Sequence, residues 1–211
     1  MLNAVIDISH HNKISSFSEA RNSGILGIFH KATQGFTFKD QDFSKNQRDI
    51  KKAGMLFGAY HFGTGGNPIK QAEFFLSVVG DTKLLVLDFE SNPQGKDMSL
   101  SDAEKFVHHI FIKTGRYPGL YSGHTISEVL KTEKISYPEE TELSKCWLWY
   151  ARYGKKPLVP KVWQDWTFWQ YTDGKTGDKP HYVPGIGYCD RNYFSGTAQT
   201  LHAFWEIGGL N

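Results

Sequence analysis

The sequence predicts an α/β protein, a modified TIM-like barrel with about five βα units followed by a β-rich C-terminal third with few helices. Three observations predict it. Apolar strand-like runs alternate with helical patterns, at intervals of roughly thirty residues, which is the signature of a parallel sheet. About seven or eight such runs follow one another without a midpoint break, favouring closure over an open sheet. The 211 residues fall short of a full (β/α)8 barrel, which takes ≈ 250. The helical pattern stops at Pro157, so the missing helices are assigned to the region beyond it.

The first run, Asn3 to Ser9, ends near Asp7, and Ser15 or Ser16 caps a short helix to Asn22. Ile25 to Lys31 is a second strand, and Gln41 to Ala53 a helix stopped by Gly54. Met55 to Phe62 forms a third strand, and Pro68 to Val79 places Ala72, Phe75, Leu76 and Val79 at helical spacing. The fourth strand, Leu84 to Glu90, is followed by a helix with a capping-box pattern at Ser99 or Ser101, ended by Gly115. Tyr117 to Ser122 is the fifth strand and His124 to Lys131 a short helix. Cys146 to Tyr153, Thr167 to Thr172 and the surroundings of Tyr188 to Asp190 supply the remaining strands, joined by loops rich in Pro, Gly, Lys and Asp.

Composition narrows the function. A net charge of +2 with no long basic run makes no case for nucleic acid. No apolar run approaches the length of a membrane span, so no membrane insertion is expected. No basic-then-apolar leader opens the chain, which suits a mature domain or a lysin of phage or prophage type acting outside the cell or on its wall. The length suits a single catalytic barrel domain, 1–211, expected to be a monomer. Cys146 and Cys189 read as buried free thiols.

The chemistry gathers at the fourth strand. Side chains alternate along a strand, so Asp88 and Glu90 face one side, with Cα atoms about 6 to 7 Å apart. Two solvent-facing acids at a strand end would fit equally well taken alone. In a barrel, however, ligands bind at the C-terminal strand ends. These carry Asp7 with Ser9, Lys31, His61, Asp88 with Glu90, Tyr121, Trp149 and Gln170, and Asp190 joins them from the last strand. Crowded carboxylates oppose one another's ionisation, so one holds a proton near neutral pH and can donate it, as glycoside cleavage requires. Trp147, Trp163 and Trp205, taken singly, read as core.

The segments IDISHHN (6 to 12), FHKATQG (29 to 35), AGMLFGAYHFG (53 to 63), LVLDFE (85 to 90), GLYSG (119 to 123), LWYARY (148 to 153), FWQYTDG (168 to 174) and GYCDRNYF (187 to 194) resemble the ordered signature of family 25 glycoside hydrolases. The resemblance covers essentially the whole chain. It implies a lysozyme, or N-acetylmuramidase, cleaving the β-1,4 bond between N-acetylmuramic acid and N-acetylglucosamine in bacterial peptidoglycan strands. It implies Glu90 as general acid/base and Asp88 as the acid supporting attack by the substrate's own acetamido group, with retention at C1. Asp7 and Asp190 are then supporting acids, and Tyr60, His61, Tyr121, Trp149 and Gln170 bind substrate. No cofactor and no metal are implied. Two departures, His11 where the family often has an aromatic residue and Arg152 where an acid is common, bear on subsite preference. No wall-binding repeat follows the barrel.

Two other readings remain at this stage. Asp7, His10, His11, His61, Asp88 and Glu90 are ligand types for a metal-dependent polysaccharide hydrolase or deacetylase, although no HxH, HExxH or HxxxH spacing occurs among the histidines. A non-catalytic glycan-binding barrel would use the same aromatics without the acids.

Overall fold

The computed structural model describes residues 1–154 and 156–209. In chain order its elements are β1 (Leu2–Ile8), α1 (Phe17–Asn22), β2 (Gly27–Gln34), a two-residue β3 (Phe38–Lys39), α2 (Phe43–Lys52), β4 (Leu56–Phe62), α3 (Pro68–Val79), β5 (Leu84–Asp88), α4 (Leu100–Thr114), β6 (Gly119–Ser122) and α5 (His124–Thr132). Two short 3-10 helices, Pro138–Glu140 and Glu142–Lys145, lead into β7 (Leu148–Ala151). Then come β8 (Phe168–Thr172), a hairpin of β9 (Tyr182–Val183) and β10 (Gly187–Tyr188), β11 (Asp190–Phe194) and α6 (Ala198–Ile207). No helix among the described residues is long and apolar enough to cross a membrane.

Pairing of β1 with both β2 and β11 closes the sheet in the order β1-β11-β8-β7-β6-β5-β4-β2, with β3 appended to β2. The strands from β1 to β8 in the wall run parallel, while β11 runs antiparallel to both its neighbours. Five βα units and then a β-rich closure is the modified barrel expected. Local chemistry sets the helix starts. Ser16 accepts a hydrogen bond from the Glu19 amide and Ser99 one from the Asp102 amide, each satisfying an N–H that the first turn leaves free. At the far end of α4, Gly115 takes φ 74°, a left-handed conformation that suits glycine.

Strand alternation sorts the core into two layers. Outward-facing residues such as Ile6, Ile28, Leu85 and Leu87 pack under the helices. The inward set, Val5, Phe29, Leu84, Val86, Trp149 and Phe168 among them, fills the barrel itself. So many rings fit into a small barrel because glycines stand opposite them. A Cβ on Gly58 would lie 2.6 Å from Phe29 and one on Gly119 2.4 Å from Trp147, closer than atoms pack.

The C-terminal end corrects the sequence reading. The helical pattern was expected to vanish after Pro157, yet α6 runs from Ala198 with Thr197 as cap and Gly208 as its left-handed stop. Leu201, Phe204 and Trp205 form its apolar face and join the barrel interior, with the Trp205 ring 4.8 Å from that of Phe29. The helix packs its face into the interior cluster at the end away from the strand-end acids. Truncating this ring leaves a cavity under Phe29, so Trp205→Ala costs about 3–5 kcal/mol, read as the shift in urea midpoint at constant slope. A loss under about 1 kcal/mol would mean that the interior does not depend on α6.

Candidate active site

The inward series of β5 is Leu84, Val86, Asp88, and it continues one step past the strand to Glu90. Phe89, between the two acids, is buried in the outer core. Its amide donates to the Tyr121 carbonyl at 2.8 Å, and its own carbonyl accepts from the Ser122 hydroxyl at 2.7 Å. Anchoring Phe89 outward is what turns both carboxyls inward. On β1 the same alternation puts Val5 in the interior and Asp7 above it, with Ile6 and Ile8 outside. Asp190 is the first residue of β11 and lies opposite Asp7 in the pairing register. Because β11 runs antiparallel, its start lies at the mouth where the parallel strands end.

These acids line one pocket of ≈ 150 Å³ together with Tyr60, Tyr121 and Trp149. That is about five times the ≈ 30 Å³ share of one water, so the pocket takes a small part of a ligand and a long chain must extend outside it. A wider depression between α1 and α2, of ≈ 370 Å³ and lined by Ile14 to Ser18 with Lys45, Asp49 and Lys52, contains none of these acids.

Burial governs the electrostatics. It raises Asp7, Asp88, Glu90 and Asp190 above the usual carboxylate range, because a charge with little water around it is costly. Asp190 is pushed up to about 9, first by burial, then by the Asp7 charge and a hydrogen bond to Asp7. Asp190 therefore holds the proton of that pair and Asp7 holds the charge. Three further contacts stabilise that charge, from Gln170 Nε2 to both Asp7 oxygens at 3.2 and 3.1 Å and from Asn192 Nδ2 at 2.8 Å. Asp88 is raised by burial and then by Glu90, while Glu90 is raised by burial and then by Asp7. One buried oxygen of Asp88, Oδ1, has no hydrogen-bond partner. A buried acceptor without a donor is expensive, and it marks a place for a ligand N–H or O–H.

The structure thus brings together Asp7, Asp88, Glu90, Asp190, Tyr60, Tyr121 and Trp149. Two residues expected to bind substrate do not reach the pocket. His61 points from β4 to the helix side, with Nδ1 2.7 Å from the Thr33 hydroxyl, Nε2 3.2 Å from Gln71 and its ring stacked on Phe106. Burial pushes its pKa down to about 3. The cause is parity: Tyr60 takes the inward position, so His61, one residue on, must face out. Gln170 faces inward but its amide is fully engaged, accepting from the hydroxyls of Tyr121 and Tyr153 at 2.8 and 2.9 Å and donating to Asp7. It holds Asp7 and the two tyrosines in place from behind. Trp149, 1% exposed, forms the floor and donates to Asn192 at 2.7 Å.

Two contributors were not named as site residues from the sequence, and a third, Lys31, was placed at the strand ends without a role. Asn192 links Trp149 to Asp7, and Tyr153 braces Gln170. Lys31, the inward residue of β2, lies 5.0 Å over the Phe62 ring and donates to Gln34 at 2.7 Å. Its charge draws Asp88 back down. Its place at an inward strand end was read from the sequence; its effect on Asp88 was not. Asn192 was hidden because the direction of β11 could not be read.

No histidine of the candidate metal set joins the acids in the pocket lining. His61 faces outward, and His10 is tied through Nδ1 to Asp40 at 2.8 Å. Among the described residues, no group of three or more His, Cys, Asp and Glu side chains is arranged to hold a metal ion. Cys146 and Cys189 are both buried free thiols, as read from the sequence.

The chain is similar to known proteins over most of its length. The family model described as glycosyl hydrolases family 25 matches residues 6–178. Lysozyme M1 of Streptomyces globisporus is 31% identical over 94% of this chain and 69% of its own length. The autolytic lysozyme of Clostridium acetobutylicum is 27% identical over 90% of this chain, which spans only 55% of that relative. Among solved structures, the bacterial lysozyme from Streptomyces coelicolor superposes with a TM-score of 0.82 at 30% identity, covering 99% of this chain and 98% of the other.

The charge distribution predicts an asymmetry between the two outer acids. Asp7 is charged and raises Glu90, so Asp7→Asn lowers the Glu90 midpoint by removing a like charge. Asp190 is already neutral, so Asp190→Asn, which keeps a donor for Asp7, moves that midpoint far less. Carbon-13 carboxyl titrations of both variants measure this. Equal shifts would mean that Asp190 carries charge.

Proposed function

The chain belongs to glycosyl hydrolases family 25, and on that premise we propose that its acid pocket hydrolyses the β-1,4 bond between N-acetylmuramic acid and N-acetylglucosamine. The protein is a muramidase acting on peptidoglycan, at the cell wall. Residues 1–211 serve as one catalytic barrel domain in this reading. The single observation carrying the chemistry is the buried, partnerless Asp88 Oδ1 beside Glu90 in a pocket with no competing donor on that atom.

An acetamido group supplies the donor that Asp88 lacks. Its N–H reaches Asp88 Oδ1, which aligns the acetamido carbonyl oxygen with C1 and stabilises the positive charge that grows on the nitrogen. Glu90 donates its proton to the bridging oxygen as the C1–O bond breaks and the carbonyl oxygen bonds to C1. The leaving sugar departs with that proton. Glu90, now a carboxylate, takes a proton from water as the water oxygen attacks C1 and displaces the acetamido oxygen. Two inversions give net retention and regenerate Glu90 in its acid form. The tyrosine hydroxyls of the lining stay protonated, since burial raises Tyr60 and Tyr121 well above the usual phenol range; Tyr121 gives its hydrogen to Gln170, which leaves Tyr60 as the neutral donor to the sugar.

The experiment that tests the activity is digestion of purified peptidoglycan, with the new reducing end identified by mass spectrometry after borohydride reduction. Reduced N-acetylmuramic acid at the new ends is expected, and reduced N-acetylglucosamine alone would overturn the reading. Glu90→Gln keeps size and fold but cannot donate, so kcat falls about 10²–10⁴-fold with glycan binding retained; a wild-type rate would remove Glu90 from the role. Asp88→Asn loses much of the rate but accumulates no covalent glycosyl-enzyme. An adduct on Asp88 in wild-type protein, seen in intact-protein mass spectra with a slow activated substrate, or an α-anomer as first product by NMR, would exclude the acetamido route.

A further inference from the structure

The turn after β1 carries a histidine pair that the reaction above does not use. His10 is held rigidly: its Nδ1 and its backbone N–H both meet Asp40 Oδ2, at 2.8 and 3.0 Å. The Asp40 side chain is wholly buried, and its other oxygen accepts from the Asp42 amide at 3.0 Å. With Nδ1 committed to Asp40, the remaining ring nitrogen, Nε2, lies on the opposite edge of the imidazole, and the side chain is 24% exposed. His11, exposed, lies against it with ring centroids 3.9 Å apart. The Phe38 ring is 5.7 Å from that of His10, and Lys31 Nζ is 5.6 Å from the same Phe38 ring. Through Phe38 the turn is continuous with Lys31, whose charge Asp88 feels.

The mouth is therefore asymmetric. The pocket is lined by four carboxyl groups. The flank built by the β1–α1 turn, the end of β2 and β3 presents His10, His11 and Lys31, with exposed Lys13 and Lys39 beyond them. Its acids are Asp40, whose oxygens are already engaged, and the partly exposed Asp42. The sugars on the two sides of the cleaved bond differ in one respect, the 3-O-lactyl arm of the muramyl residue, which carries a carboxylate or a peptide stem bearing one. A pocket of acids repels that charge, so the arm must be received outside it, where the charge is of the opposite sign.

We propose that this flank, centred on His10 and backed by Asp40, recognises the carboxylate carried by the muramyl lactyl arm. The proposal rests on the muramidase reading and makes His10 a specificity-determining residue. Arg152, the residue after β7, is a separate cation at another strand end and serves as the control.

The test measures binding by calorimetry in the Glu90→Gln protein, with muramyl glycan strands of three kinds: stems intact, stems removed to leave the lactyl carboxylate, and either set with its carboxylates capped as methylamides. The charged strands are expected to bind about fivefold more tightly than the capped ones, the scale of one net hydrogen bond. His10→Ala and His10→Gln abolish that preference and leave affinity for capped strands unchanged, while Arg152→Gln retains it. Preference for intact or for stripped strands assigns the carboxylate to the stem or to the arm itself, and either supports the proposal. Equal binding of charged and capped strands, a preference surviving in both His10 variants, or a loss equal on all strands, as a merely loosened turn would give, overturns it. Release of reduced muramic acid from walls by the wild-type protein is scored separately, so failure of the muramidase reading is distinguishable.

Discussion

Four carboxyl groups share one small pocket, and the need to make that arrangement tolerable shapes everything around it. Left fully ionised, they would repel one another with little water to screen them. The protein answers in three ways. Asp190 keeps its proton; Asp7 is surrounded by amide donors from Gln170 and Asn192; and Lys31 places a cation within reach of Asp88. Asp88 and Glu90 are left as the one pair whose proton is not already settled by partners, and this is the pair that does chemistry in the proposed reaction.

That arrangement needs a rigid frame, and the barrel interior provides it. Below the acids lies a dry stack in which Trp149 packs against Phe29 at 4.5 Å and Phe168 against Phe29 at 5.3 Å, with α6 packed against the lower rings. Interiors packed at this density do not adjust gradually. The polar layer is fastened to the apolar one at two points, from Trp149 Nε1 through Asn192 to Asp7 and from the Tyr121 hydroxyl through Gln170 to Asp7. Closure of the sheet is part of the same device, since Asp7 meets Asp190 only because β1 pairs with β11. Fold closure and site assembly are one event.

Much of this was legible because it depends on period two and on local caps. Asp88 and Glu90 on one side, Asp7 at the end of the first strand, and the start of α4 at Ser99 all follow from patterns of a few residues. The misses share a different cause. His61 was assigned to the cleft although Tyr60, its neighbour, had also been placed there, and alternation allows only one of them. Gln170 was read as a substrate ligand because its type suits sugars, whereas its donors and acceptors were taken up by Tyr121, Tyr153 and Asp7, partners distant in sequence. The direction of β11 was not visible because the stretch before it offers short hairpins rather than a crossover helix. Helix α6 had its signals in Thr197, Leu201, Phe204 and Gly208, but ten residues with one apolar stripe were outweighed by the loop-rich composition of the region before them.

In the proposed mechanism the shared proton must stand on Glu90, and contacts of the substrate with Asp88 favour that placement. Burial and the neighbouring Glu90 raise Asp88, and burial with Asp7 raises Glu90, so the two carboxyls compete for one proton. A proton on Asp88 is useless for protonating a leaving group. An acetamido N–H donated to Asp88 Oδ1 changes the balance, because a hydrogen bond to the charged form favours ionisation. Growing positive charge on the acetamido nitrogen favours it further. Asp88 is then held as the carboxylate, a near negative charge that raises Glu90 and keeps it in the acid form. Binding of a sugar bearing the 2-acetamido group thus favours the proton on the residue that must donate it, and a sugar without that group gives no such bias. Selectivity for N-acetylated sugars and activation of the general acid then have the same physical origin, the single unsatisfied oxygen of Asp88.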